Sequence, residues 1–378
     1  MNLTRDDQRV RQQIRDNDST LKRLEICHWM ALFEEDAIDD FVDAIQCGGT
    51  KKNNNNACSS IETLYVTPKS AELLQPATII RIVQAAGCHF PNLRCIEIST
   101  PPINRISQAL TASLVIPNLL TSCPQLETLV IWPMCKIESM DVVHQIASSL
   151  RGHPSLQTLS LPSMLFRHKD ETEETQRMVI DPILEALGTV PNLRNVHFSP
   201  CYRIDKQKCL IARPEVVSSL LQSSSHRHFE SLALRNMGLN DDFGTLMAAT
   251  LQCSERTTTT TIAATTLKHM DWRFNDFTEI TYRAFRDVLA SLQNTTLTSL
   301  SLVGSDAIDH DIEISIIDLC LRLNRAGRHV LVKRGGPMMD CWDDFCASCN
   351  DTDVMFLLLK ASPQIFFPSS SGIDNKCL

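Results

Sequence analysis

Glycine is scarce in this chain of 378 residues, at 12 in all, which leaves little material for loops that cradle phosphate. No stretch follows the P-loop pattern or the dinucleotide-binding glycine spacing. Cys47-Gly48-Gly49-Thr50-Lys51 carries glycines and a lysine, but at the wrong separation. G-x-S-x-G and H-E-x-x-H are also missing, so neither a hydrolase nucleophile elbow nor a zinc-protease helix is encoded in those forms. Long hydrophobic runs are lacking: nothing approaches the roughly 18 apolar residues of a membrane span. Met1 to Ser19 contains no apolar stretch of signal-peptide length, and its aspartates argue against a transit peptide. Positive charge is in deficit. With 36 Lys and Arg against 44 Asp and Glu the net charge is −8, which disfavours a general binder of nucleic acid or anionic membranes. The expectation is a soluble protein of the cytoplasm or nucleus. Aromatic side chains are few, with four tryptophans and three tyrosines, so any that reach the surface stand out.

What the chain does contain is enough apolar material for a sizeable core. It is 43% hydrophobic and 21% charged, with a mean hydropathy of −0.09, far from the composition of disordered chains. Its 15 cysteines are an odd number without a secretory signal. Reduced thiols acting as small hydrophobes fit better than a disulfide framework.

Internal periodicity organises the rest. The segment Leu21, Leu24, Ile26 has the form L-x-x-L-x-L, with aliphatic or aromatic residues at each anchor. The form recurs at Ile61-Leu64-Val66, Leu93-Ile96-Ile98, Leu126-Leu129-Ile131, Leu156-Leu159-Leu161, Leu193-Val196-Phe198, Phe229-Leu232-Leu234, Leu267-Met270-Trp272 and Leu297-Leu300-Leu302. The second and third anchors alternate on one face of a short strand. Each strand is followed by a polar stretch and then a segment of helical spacing, such as Ile38-Phe41-Val42-Ile45, Val142-Val143-Ile146-Leu150 or Phe285-Val288-Leu289-Leu292. Pro91, Pro124, Pro154 and Pro191 each stand two residues before a first anchor, where a helix must already have ended. A stacked-helix solenoid is the competing reading. The period-two, β-branched runs Thr63 to Thr67 and Cys95 to Ser99 argue against it.

From Leu21 to Leu331 the chain resembles the ribonuclease-inhibitor-like leucine-rich-repeat family. The resemblance implies an α/β solenoid, a horseshoe with a parallel concave sheet and helices on the convex side. It also implies a consensus asparagine three residues after the third anchor. Asn275 matches that position in the eighth unit, whereas Asn236 in the seventh comes one place early. Spacing between first anchors runs from 30 residues (Leu126 to Leu156) to 40 (Leu21 to Ile61), longer than the family's usual unit. The polar tracts Lys51 to Asn56 and Thr257 to Thr261, between helix and next strand, account for two long units as loop expansions. Asp170 to Glu174 reads as a solvated loop.

The expected organisation is an N-terminal cap over 1–18, about nine repeat units over 19–336, and a helical C-terminal cap with tail over 337–378. The last repeat helix is placed at Ile312 to Leu323, with Gly327 as its stop and His329 to Val332 as an edge strand. Two cap helices are placed at about Met338–Ser348 and Asp353–Ala361. The run LRLNRAGR followed by DVMFLLLKASPQIF resembles the tails of leucine-rich-repeat proteins abundant in diatoms. Cys341, Cys346 and Cys349, with His329 upstream, have the residue types of a zinc site. Their place on one apolar helical stretch favours packing, and no metal or other cofactor is expected.

The residues between and after the strand anchors should line the concave face. The candidates for partner binding there are Tyr65, Glu97, Trp132, His197, Arg235, His269, Asp271 and Arg273. Tyr65 and Trp132 are aromatic anchors of the kind that dominate interfaces. Arg235, His269 and Arg273 form a basic strip, and Glu25 and Glu97 an acidic counterpart, so a partner would be oriented by charge. The function expected is a monomeric protein-binding scaffold without catalysis. The alternatives are a substrate adaptor of a ubiquitin ligase, for which 18 residues before the first motif leave no room for an F-box, and a repeat-built GTPase activator.

Overall fold

A computed structural model describes residues 5–16, 18–26, 35–47, 60–66, 76–99, 110–132, 135–137, 139–166, 180–200, 213–222, 229–253, 266–290, 294, 296–302 and 311–325. Nine strands follow the nine motifs: β1 (Arg23–Ile26), β2 (Thr63–Val66), β3 (Cys95–Ile98), β5 (Thr128–Ile131), β7 (Thr158–Phe166), β8 (Asn195–Pro200), β9 (Ser231–Leu234), β10 (His269–Asp271) and β11 (Ser299–Ser301). Two further strands, β4 (Leu110–Thr111) and β6 (Cys135–Ile137), lie between them. The helices are α1 (Arg5–Arg15), α2 (Glu35–Cys47), α3 (Pro76–His89), α4 (Ala112–Ser122), α5 (Met140–Leu150), α6 (Asp181–Leu187), α7 (Pro214–Gln222), α8 (Asp241–Cys253), α9 (Glu279–Ala290) and α10 (Asp311–Arg325).

All pairings are parallel and follow chain order, β1-β2-β3-β5-β7-β8-β9-β10-β11. The register is the motif register: Leu24 stands opposite Leu64, Leu64 opposite Ile96, Ile96 opposite Leu129, and so on to Met270 opposite Leu300. Period-two alternation therefore puts every second and third anchor on the same side, where nearly all are buried. Each helix packs on the next in sequence, forming one layer over that side. The helical faces foreseen from spacing are the buried ones: Phe41, Val42 and Ile45 in α2, Val142, Val143, Ile146 and Leu150 in α5, Phe285, Val288 and Leu289 in α9. Nine parallel strands joined by return helices, with one continuous core, make this a leucine-rich-repeat solenoid.

The turns back into the sheet are built alike. Helices α3, α4, α5 and α6 end before Pro91, Pro124, Pro154 and Pro191. After α3, α4, α5 and α9 the amide of the following first anchor donates to the residue three positions earlier: Leu93 to the Phe90 carbonyl, Leu126 to the Cys123 carbonyl, Leu156 to His153 Nδ1, Leu297 to Asn294 Oδ1. One position after seven of the nine first anchors stands a charge, and the signs alternate from Lys22 to Glu127 and from Arg194 to Lys268. Lys22 pairs with Glu62, Arg94 with Glu127, and Lys268 with Glu230, at 3.3–3.5 Å. Each opposite pair across neighbouring strands favours this register, and a slip would lose the pairing.

Asn275 explains how the loop after a strand is held. Its side chain is buried and makes four hydrogen bonds. Oδ1 accepts from the Met237 and Leu239 amides at 2.7 and 3.1 Å, and Nδ2 donates to the Leu234 and Trp272 carbonyls at 2.8 and 2.7 Å. It thereby satisfies backbone groups of its own unit and of the one before. Asn236 sits one place earlier in its own unit, with φ of 53°, a left-handed turn position that asparagine tolerates.

Units three to six lack the asparagine and pair backbone there instead. The chain after the third anchor runs on as a second parallel ribbon, in which β4 pairs with β6 and β6 with the far end of β7. A register shift between Leu161 and Met164 re-aims β7 into it, and Cys135, Ile137 and Met164 are buried beneath. Burial pushes the Cys123 thiol up to about 11 and the Cys135 thiol up to about 12, so these cysteines are inert packing groups.

At the N-terminal end α1 covers α2, with Ile14 buried and the Arg11 guanidinium 3.5 Å from Asp40. The residues expected to form the C-terminal edge strand, the cap helices and the cysteine cluster lie outside the described residues. So do the tracts 51–56, 170–174 and 257–261, and all of the tail resemblance after Arg325. Among the described residues no group of three or more His, Cys, Asp or Glu could hold a metal, and no helix is long and apolar enough to cross a membrane.

Candidate partner-binding face

The helices cover one side of the sheet, and the other is open. Three rows of side chains cross it. The first runs Arg23, Thr63, Cys95, Thr128, Thr158, Asn195, Ser231, His269, Ser299. The second runs Glu25, Tyr65, Glu97, Val130, Ser160, His197, Ala233, Asp271, Ser301. A third, just past the strands, includes Ser99, Trp132, Ser199, Arg235 and Arg273, the first four with amides or positions continuing the ladder. All eight residues expected from sequence stand on these rows.

The structure gathers them into separate groups. At the N-terminal end the Arg23 guanidinium lies over the Tyr65 ring, 4.1 Å from its centroid, and Arg23 Nη2 is 3.3 Å from Glu25 Oε2. Tyr65 is thus a half-covered ring stacked by its neighbour, with Glu97 opposite it in the register. Arg23 is the residue that defines this group, and only the cross-strand register brings it to Tyr65.

In the middle, Trp132 is 46% exposed and meets His197 edge-on, ring centroids 6.4 Å apart. His197 Nδ1 is 3.3 Å from Ser160 Oγ, and its Nε2 is buried with no hydrogen-bond partner. Burial, with Arg235 and Arg273 nearby outweighing Asp271, pulls its pKa down to about 4. The imidazole is therefore neutral at pH 7. A serine and a histidine side by side invite comparison with a nucleophile and its base. A base of pKa near 4, with nothing on Nε2 to orient it, is a poor match for that role.

At the C-terminal end Asp271 is held between two arginines. Arg235 Nε donates to Oδ2 at 2.8 Å, while Arg273 Nε donates to Oδ1 and its Nη2 to Oδ2, both at 2.9 Å. Partial burial pushes the Asp271 carboxyl up, but the hydrogen bonds and charges of Arg273 and Arg235 outweigh it and hold it below the usual range. The basic strip read from sequence is therefore smaller than expected: two guanidiniums share one carboxylate, for a net charge of one. His269 stands exposed in the first row. Between the two charged ends, the described face from β5 to β9 carries only small, uncharged or aromatic side chains until Arg235.

Sequence reasoning missed Phe274. It follows Arg273 directly, is 52% exposed, and has φ of 65°. Its aromatic character beside an arginine was visible; its backbone conformation was not.

No protein-family model matches the chain, and no curated protein matches it. A solved protein from Bacteroides fragilis is 13% identical, with 70% of this chain and 69% of that one covered and a TM-score of 0.35. A TLR13 chain, solved in complex with ssRNA13, is 15% identical, with 68% of this chain and 38% of that one covered and a TM-score of 0.28. Both likenesses are distant, and the fold stands on the strand register and helix packing described above.

Proposed function

We propose that this chain is a protein-binding scaffold of the ribonuclease-inhibitor-like kind, a cytoplasmic monomer that takes a protein partner on the open face and catalyses nothing itself. The observation that carries the reading is the half-exposed Trp132, edge-on to the neutral His197, in an uncharged strip flanked by charged groups at both ends. An exposed indole over a preformed, largely uncharged surface has the makings of a central anchor, with charge at the periphery setting orientation. The neutral Ser160–His197 pair favours binding over chemistry, since it lacks an orienting group and a useful pKa.

The test compares partner capture by the wild type with that by a variant carrying Tyr65→Ala, Trp132→Ala, Arg235→Ala and Arg273→Ala. Captured proteins should be lost while circular dichroism and melting temperature stay close to wild type. Unchanged capture by the folded variant would place binding elsewhere.

A further inference from the structure

The loop after β10 has the shape of the loop after β9, and the comparison isolates one residue. In both, the second residue past the third anchor is left-handed: Asn236 with φ of 53° and Phe274 with φ of 65°. The two loops run side by side, the Asn236 amide donating to the Arg273 carbonyl at 3.0 Å and the Asp276 amide to the Leu239 carbonyl at 2.8 Å. The conformation is therefore a property of the repeat. Asparagine is among the side chains that accept it; a bulky aromatic is an outlier there. A phenylalanine at this position costs stability and gains no full burial in return, because about half of its surface faces solvent.

Exposed apolar side chains concentrate on the same margin. Ile280 and Ile312 each occupy the second position of a helix, α9 and α10, and these helices are packed neighbours. Both isoleucines are largely exposed. Phe274, at the strand-to-helix margin of its unit, directly follows Arg273, a member of the net-positive Arg235–Asp271–Arg273 cluster among the described residues. Each guanidinium has five N–H donors, and Asp271 takes two from Arg235 and two from Arg273. The remaining donors, on side chains 30% and 39% exposed, suit a second carboxylate.

Resting on the reading of a protein-binding scaffold, we infer that the Arg235–Arg273 pair and the Phe274 ring form a docking site for a short linear segment of a partner protein in which a carboxylate residue adjoins an apolar one. The carboxylate sits on the guanidiniums, and the apolar side chain packs on Phe274. A nucleic-acid phosphate would also satisfy the arginines. It has no use for the isoleucine margin.

The experiment pans a phage-displayed random peptide library on the full chain, then measures the enriched peptides by fluorescence polarisation against wild type, Phe274→Asn, Arg273→Glu and Trp132→Ala. Enriched peptides should share an acidic residue beside an apolar one. They should lose about tenfold or more in affinity on Phe274→Asn and on Arg273→Glu, the scale of an interface anchor. Phe274→Asn should melt at the wild-type temperature or above, since asparagine accepts the backbone; a ring with a merely structural role would make it melt lower. Peptides that lack acidic residues, an absence of enrichment, unchanged binding by Phe274→Asn, or tighter binding of an oligouridylate than of any peptide would each overturn the inference. Peptides weakened only by Trp132→Ala would leave the open-face scaffold standing and remove this site.

Discussion

Replacing Asn275 with alanine tests the structural logic of the array most directly. The side chain serves two backbone amides and two backbone carbonyls, all buried, at 2.7–3.1 Å. Alanine leaves those four groups without partners in a loop too tight to rearrange freely. An unsatisfied buried donor or acceptor costs about 1–3 kcal/mol, and some groups will recover a water. A loss of about 3–5 kcal/mol follows, a large part of the stability of an ordinary domain. The damage should be local at first, because each repeat leans on its neighbours. Urea unfolding followed by circular dichroism gives the total. Amide exchange read by mass spectrometry over residues 235–240 and 272–277 gives the location, with faster exchange there than over 126–161. Trp272, buried against Phe243 at 5.0 Å between ring centroids, reports by fluorescence on the same unit. A loss below about 1 kcal/mol, or exchange that rises equally everywhere, would show that the asparagine is not what holds the loop.

Gly244 in α8 faces Thr281 in α9, where an added Cβ would lie 2.2 Å from Oγ1. Thr281 is fully buried and donates to Asp241 at 2.6 Å, so Gly244→Ala should destabilise by about 1–3 kcal/mol despite alanine's better helix propensity, as chemical denaturation will show. His197 has a pKa lowered to about 4 in the folded chain, against the ordinary histidine value of 6.5. Its contribution is therefore fully present above about pH 6.5 and is lost as pH falls toward 4, where the unfolded state takes the proton and the folded state resists it. The lost stability approaches about 3 kcal/mol at pH 4, and a His197→Asn variant should show a correspondingly shallower fall between pH 7 and 4; parallel curves would contradict the burial argument.

The strands and most helical faces were legible because both depend on short-range periodicity. A period of two set the buried anchors, a period near 3.6 set the inner faces of α2, α5 and α9, and the prolines marked where helices stop. Asn275 was legible as a matched position, though its four bonds were not, since they depend on the loop of the preceding unit. The β4–β6–β7 ribbon escaped notice for a physical reason. Its pieces are two or three residues long, and Cys135-Lys136-Ile137 by itself carries no more signal than a loop. Alternation alone put the eight candidate residues on the face the helices leave open, yet it did not give their groupings. Arg235 and Asp271 are 36 positions apart in the chain, and only the parallel register makes them neighbours.

That dependence on register sharpens the functional argument. Every side chain on the open face belongs to a different unit from its lateral neighbours, so contacts there cross from one unit to the next. Arg23 answers Tyr65 across β1 and β2, and Asp271 answers Arg235 across β9 and β10. The buried anchors, by contrast, are interchangeable from unit to unit, as leucine, isoleucine, valine, methionine, phenylalanine and tryptophan all serve there. Core positions thus specify the solenoid and say little about its ligand. The departures from repeat chemistry carry that information: an exposed indole where its neighbours are small, two arginines around one carboxylate, and a phenylalanine in a turn that asparagine would fill at lower cost. These departures all lie from β5 onward, in the last six of the nine units, so the proposed scaffold reading is tested most sharply there.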